Sequence, residues 1–208
     1  SEVSTSVFVR QPTLNIKEMA YRPQPSGIAA EARRKIDAKY DPVAEQNARL
    51  WIEDVTGILL KNPGDEIQTV EQLNDWRMEP LGQKEFHKAL KDGVLVCKLM
   101  NALQDGVVQK INESATNPYK QMENISYFLK AAEAFGCIKN DLFQTVELHE
   151  GRDMGQVVNG LYAVGRMAQQ KIEDEAFPKL GPRQAKYSPR QFTEEQLAKG
   201  KTMQTLRM

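Results

Sequence analysis

The chain is poor in the side chains that carry most catalytic and metal chemistry. Its 208 residues include two histidines, His87 and His149, and two cysteines, Cys97 and Cys137. A zinc site needs several such ligands converging on one point, and neither histidine has a second ligand at helical spacing. Cys97 falls in an apolar run, where a thiolate is disfavoured, so Cys97 and His149 make a poor nucleophile and base. The stretch from Gly160 to Met167 has the glycine spacing of a P-loop but lacks the Lys-Ser/Thr that would reach the phosphates. Its glycines lie inside a helical pattern, where small residues let helices pack closely. No spaced acidic loop suits an EF-hand. The expectation is a protein that is not an enzyme and has no catalytic, cofactor-binding or metal residues.

Long apolar runs are missing too. None is long enough to cross a bilayer, and the N-terminal stretch has no apolar signal-peptide core. These absences predict a soluble, cytoplasmic protein with buried, reduced thiols. The sequons at Asn112 and Asn124 are then chance matches, because glycosylation needs the secretory route. Sustained strand-like alternation is also absent, which predicts an all-α fold.

A net charge of zero hides an uneven distribution. Residues 1–40 carry 7 basic and 4 acidic side chains, residues 41–175 carry 14 and 22, and residues 176–208 carry 7 and 2. An acidic body thus has basic ends. A basic tail favours an acidic partner, whether actin, another acidic filament, nucleic acid or anionic lipid. The chain has no basic recognition helix and no interleaved aromatic platform, which argues against nucleic acid. Membrane partners are not expected either.

The stretch from Asp92 to Gly106 is the centre of the pattern. Val96, Leu99, Met100 and Leu103 lie at i, i+3, i+4 and i+7, one face of a helix. Leu95 and Ala102 widen the stripe, which predicts a core helix surrounded by others. Asp92 is placed to cap it, and Gly106 to close it with a left-handed residue. Upstream, Asp41-Pro42 gives a cap followed by proline at the first helical position. Ala48, Trp51, Ile52, Val55 and Leu59 then mark a second buried face. Downstream, Met122, Ile125, Phe128, Leu129, Ala132 and Phe135 trace a third, ended by Gly136. Asn140 or Asp141 is expected to cap a short helix holding Leu142 and Phe143. Asp153 caps a last long helix with Met154, Val157, Val158, Leu161 and Ala168 in one stripe. About four main helices of this length bury a normal core.

Several of these segments are worded in a recognisable way. The Asp92–Leu103 run, the Glu123-Asn124-Ile125…Phe128-Leu129…Ala131 helix, the Asp141…Phe143…Glu147-Leu148 turn and Trp51-Ile52-Glu53 occur in one order. Together they resemble the calponin-homology domain, in its single-domain calponin, transgelin and muscle-protein-20 form. The resemblance covers roughly residues 35–172 and implies a helical domain at 30–174. An N-terminal arm at 1–29 and a basic tail at 175–208 flank it. Relative to that form, residues 61–82 read as an insertion containing a short helix from Thr69 to Trp76, with Trp76 expected as a cap over the core or, as the alternative, an exposed contact. In the tail, Gln191-Phe192-Thr193-Glu194-Glu195-Gln196-Leu197 is similar to the opening of a calponin-like repeat. Thr205-Leu206-Arg207-Met208 stands where its glycine-containing core would be, so the repeat is partial.

The resemblance implies an actin-filament-associated protein that binds, stabilises or bundles thin filaments in muscle or cytoskeleton, located at the cytoskeleton or myofibril. The alternative is a scaffold or structural component docking another cytoskeletal, filament or signalling protein, with actin incidental. In either case the tail is the expected binding element, with Lys179, Arg183, Lys186, Arg190, Lys199 and Lys201 supplying attraction and Phe192 and Leu197 docking. Ser188-Pro189 reads as a turn or as a proline-directed phosphorylation site whose added charge would oppose an acidic partner.

Overall fold

Helix signals at the sequence level become nine α-helices among the described residues of the computed structural model. The described residues are 26–62, 69–114, 116–183 and 192–203, without the side chains of residues 200–203. No strand occurs among them, so the all-α expectation holds. The chain divides between Lys39 and Tyr40 into two units. The described part of the first unit is residues 26–39, with helix α1 at Ile28–Asp37. Nothing in α1 is buried. Exposed i,i+4 pairs, Glu31 with Lys35 at 2.8 Å and Arg33 with Asp37 at 3.4 Å, decorate it, a support worth a few tenths of a kcal/mol each.

The second unit holds the core. Helix α2 (Pro42–Thr56) starts as predicted, with Asp41 accepting from the Val43 N–H at 2.9 Å and proline at its first position. It stops at Gly57, so Leu59 lies beyond the helix. Helix α3 (Val70–Met78) carries a capping box, Thr69 with Gln72. Helix α4 (Gln83–Leu90) buries Phe86 and Leu90. Helix α5 (Val94–Leu103) is the predicted centre, with Leu95, Val96, Cys97, Leu99, Met100 and Leu103 buried. Ala102 does not extend that stripe, because it faces solvent. Asp92 Oδ1 accepts from the Val94 N–H at 2.9 Å. The left-handed Gly106 comes three residues past the helix end, in the turn that follows.

Helix α6 (Pro118–Ala134) packs on α5, and its buried face is Ile125, Phe128, Ala131 and Ala132. Leu142 and Phe143 are buried, but not on a helix. A single 3-10 turn at Lys139–Asp141 precedes them, and helix α7 (Thr145–His149) starts after them with a Gln144–Glu147 capping box. The two apolar residues therefore sit in the connection between the 3-10 turn and α7, buried without helical spacing. Helix α8 (Met154–Lys171), capped by Asp153 on the Gln156 N–H at 2.9 Å, runs against α2 and α7. Its glycines admit extended chain rather than neighbouring helices. A Cβ on Gly160 would stand 2.7 Å from Phe143 Cδ1, and one on Gly165 would stand 2.7 Å from Leu180 Cβ. Helix α9 (Glu194–Met203) follows in the tail.

Candidate partner-binding surface

The start of the tail is fastened to the domain. After α8 the backbone turns at Ile172 and returns along the helix. Leu180 is 1% exposed and lies on Gly165. Gln169 Nε2 donates to the Leu180 carbonyl at 2.8 Å and to that of Gly181 at 3.2 Å. On the α2 side, Trp51 Nε1–H donates to the Pro178 carbonyl at 3.0 Å. Trp51 is thus the expected core anchor, 3% exposed, and a clamp for the chain leaving the domain. Gly181 has φ +70° and a Cβ there would meet Tyr162 at 2.8 Å, so a side chain is excluded twice over. The strap, residues 177–181, thus supplies the acceptors for the Trp51 indole N–H and the Gln169 amide, which would otherwise be buried without partners.

Trimming the strap's plug has a defined cost. Leu180→Ala is expected to lower stability by about 2–4 kcal/mol, as large-to-small changes in a packed core do. A urea melt checks it; a loss under about 1 kcal/mol would mean that the strap adds nothing to the core.

Two of the expected binding cations leave from this fastened segment. Lys179 and Arg183 are exposed and border a groove of about 590 Å³ with Ile172 and Phe177. Glu173, Asp174 and Glu175 share that border, so the local charge is mixed rather than positive. Lys199 is exposed on α9. Phe192 and Leu197 are 58% and 52% exposed. Lys186 and Arg190 lie outside the described residues, as does the side chain of Lys201. The cores of the partial repeat, Ser188-Pro189 and residues 1–25 of the arm are outside them too. The structure brings Lys179 and Arg183 together at the strap.

The 61–82 stretch is attached through buried charge. Arg49 and Glu53, one turn apart on α2, have side chains 1% exposed and pair at 2.9 Å. Glu53 also accepts from Arg77 Nε of α3 at 2.9 Å and from the Leu60 N–H at 3.1 Å. Arg49 Nη1 donates to the Glu79 carbonyl at 2.8 Å, and its guanidinium lies 5.0 Å from the Trp76 ring. Trp76, expected as a cap over the apolar core, is half-buried and instead covers this cation. The next turn back, Glu45, is fully buried and accepts from the Tyr40 hydroxyl; burial pushes its carboxyl up from the ordinary range. Glu45, Arg49 and Glu53 recur every four residues, a charged stripe beside the apolar one on α2. That periodicity was the available signal, although such stripes more often face water.

The sparse reactive groups are engaged structurally. Cys97 Sγ donates to the Asn124 carbonyl at 3.1 Å, and burial pushes its thiol up to about 12. Burial likewise takes Cys137 up to about 11. His149 meets Gln121 Oε1 at 3.2 Å and is held below its usual range by burial and by Lys91. His87 Nε2 reaches the His149 carbonyl at 3.3 Å. Among the described residues no three His, Cys, Asp or Glu side chains are grouped to hold a metal ion. No described helix is long and apolar enough to cross a membrane.

Comparison with known proteins bears on the whole arrangement. Myophilin of Echinococcus granulosus is 39% identical over 188 residues, covering 90% of this chain and 88% of its own. Muscle-specific protein 20 of Drosophila melanogaster is 38% identical over 171 residues, 82% of this chain and 81% of its own. Two solved structures from Schizosaccharomyces pombe, the calponin-homology domain of Rng2 and that of an IQGAP protein, superpose with TM-scores of 0.51 and 0.50. Each is 20% identical and covers 84% of this chain and 96% of its own, a likeness of fold. The family model for the calponin homology (CH) domain matches residues 42–170, the span from the first residue of α2 almost to the end of α8, and on these grounds the chain belongs to the calponin homology family.

Proposed function

We propose that this protein associates with the actin cytoskeleton of muscle or related cells and binds F-actin through its basic tail, stabilising or bundling filaments. Similarity to muscle proteins over most of the chain supports the setting. The observation that carries the tail reading is the exposure of Lys179 on a strap whose backbone is fixed to α2 and α8, and of Arg183 two residues past its last fixed carbonyl. Cations held at a fixed exit, followed by a stretch of net positive charge, favour an acidic filament by long-range attraction. On this reading the domain runs to about Gly181 and the partner-binding tail begins with Pro182, while Lys179 contributes from the strap.

The strap also dictates the test. Cutting at residue 175 would remove Pro178 and Leu180 and damage the core, so the informative truncation ends at Arg183. High-speed co-sedimentation with F-actin is expected to pellet the full chain in a salt-sensitive way. Pelleting should fall for the 1–183 chain, which keeps Lys179 and Arg183, and fall further, by about tenfold, when Lys179, Arg183, Lys186, Arg190, Lys199 and Lys201 are all changed to Gln. Unchanged pelleting of the six-fold variant would sink the tail reading.

A second reading, a scaffold that docks another cytoskeletal protein, draws on Glu173, Asp174 and Glu175 beside Lys179 and Arg183. Those carboxylates weaken attraction to an acidic filament and suit a partner of mixed charge. Capture of a cytoskeletal protein by the 1–183 chain that is lost when Glu173, Asp174 and Glu175 are changed to Gln would favour it.

A further inference from the structure

The opening of α9 is a preformed knob. Thr193 and Gln196 close a capping box, with Thr193 N–H donating to Gln196 Oε1 at 3.1 Å and Gln196 N–H to Thr193 Oγ1 at 3.4 Å. Phe192 and Leu197 occupy the position before the cap and the fourth of the helix, the pair used by a hydrophobic staple. Both are more than half exposed, and between them stand Glu194 and Glu195, also exposed. The basic tail therefore presents one short element that is apolar and acidic, the opposite of what an acidic filament attracts.

Three grooves on the domain differ in the charge they would offer such a knob. The largest, about 780 Å³ beside α7, is bordered by Glu133, Glu147 and Asp153 against a single cation, Lys139. The groove at the strap carries Glu173, Asp174 and Glu175. The third, about 380 Å³, lies between the 107–110 loop and α6. Val107, Val108, Tyr127 and Ala131 give it an apolar wall, Lys110 and Lys130 border it, and no carboxylate is among its described lining residues. At its edge the Glu123 carboxylate accepts from the Tyr127 hydroxyl at 2.6 Å and Asn112 Nδ2 at 2.9 Å and stays ionised near Lys110, so it offsets part of that charge and leaves the border net positive. Of the three, this groove alone opposes Glu194 and Glu195 in sign while offering apolar cover to Phe192 and Leu197.

The same chain can reach it. Leu180 lies against Gly165, Met167 Cε stands 2.8 Å from where a Cβ on Gly136 would be, and Ala134, two residues before Gly136, lines the groove. Summing these steps puts Leu180 within about 30 Å of Ala134, and the twelve residues from Leu180 to Phe192 span up to about 40 Å.

We propose that the groove between the 107–110 loop and α6 seats the Phe192–Leu197 knob of the same chain, latching the tail helix to the domain. Seating hides both apolar docking residues, so the latched tail offers a partner its cations alone. This latch does not depend on the identity of the filament.

The test is disulfide trapping in the full chain without any partner. Gln109 and Asn140 are exposed and line the basic and the acidic groove respectively. Ala198, exposed on α9, supplies the other thiol. Native Cys97 and Cys137 are buried and slow to react. The Gln109→Cys/Ala198→Cys variant is expected to form an intramolecular disulfide about fivefold or more faster than Asn140→Cys/Ala198→Cys. Adding Lys110→Glu and Lys130→Glu, or raising salt to about 0.5 M, should bring its rate down to that of the control pair. Equal rates in the two pairs, indifference to the charge reversals, or disulfides that join only separate chains would each overturn the latch.

Discussion

Glu53→Ala is expected to destabilise the protein by about 3–5 kcal/mol, the usual cost of removing one partner from a buried ion pair. Three donors converge on this carboxylate: Arg49 Nε, Arg77 Nε and the Leu60 N–H. Alanine would leave the Arg49 cation buried, with the Glu79 carbonyl, the Trp76 face and the Glu45 carboxyl, which burial pushes toward its neutral form, as its remaining neighbours. Arg77 would keep its contact with Asp54 at 2.5 Å, but that carboxylate is largely solvated and holds α3 weakly. Loss of stability should therefore be accompanied by faster proteolysis at Arg77. The double variant Arg49→Met/Glu53→Leu is expected to recover more than half of the loss, because a matched apolar pair removes both charges at once. Urea melts of the two variants check both statements. A single-variant loss below about 1 kcal/mol would show that the carboxylate does not hold this stretch in place.

Asn124→Ala should cost about 3 kcal/mol or more. This residue is fully buried at the centre of α6, and both ends of its amide are used. Oδ1 accepts from the Asn112 backbone N–H at 2.9 Å and its side-chain amide at 3.2 Å. Nδ2 donates to the carbonyls of Asp92 at 2.9 Å and Asn112 at 3.1 Å. One amide thus joins α6, the entry to α5 and the loop between them. Alanine strands several buried polar groups, at about 1–3 kcal/mol each. Asn124→Asp keeps the acceptor but turns a donor into a charge facing two carbonyls, so it is expected to be no better than alanine. The same joint constrains Gly93, whose φ is +72° and whose absent Cβ would lie 2.7 Å from Asn124 Cβ and 2.9 Å from the Ile125 nitrogen. Thermal melts in which Asn124→Ala or Asn124→Asp came within about 1 kcal/mol of the parent would sink this account.

Most of the helical core was legible because burial there follows the helical period. Val96, Leu99, Met100 and Leu103 on α5 and the α8 stripe needed only spacing and caps. Leu142 and Phe143 broke the rule because they lie in the short connection between the 3-10 turn and α7, where burial is set by the elements packed around the chain and no helical period applies. The attachment of α3 escaped the reading because Arg49 and Glu53 at i,i+4 look the same whether the helix face meets water or another helix. The strap escaped it for a different reason. Trp51 and Pro178 are 127 residues apart, and no local pattern announces that an indole will hold a distant carbonyl. Of the proposed binding tail, the cations and the family-like wording around Phe192 could be read from the sequence, but not the carboxylates that share the strap groove with Lys179 and Arg183.

The strap also determines how the molecule meets mechanical load. Tension on the tail at Arg183 enters the domain through the 177–181 segment, before any other described contact. There it meets the amide of Gln169, the wedge of Leu180 on α8 and the indole of Trp51 on α2, in that sequence. The pull is divided between α8 and α2, which pack on each other, and α2 in turn rests on α4 and α5. Such a chain can be tugged by whatever it is tied to, and the force enters the domain through two helices that pack on each other rather than through one.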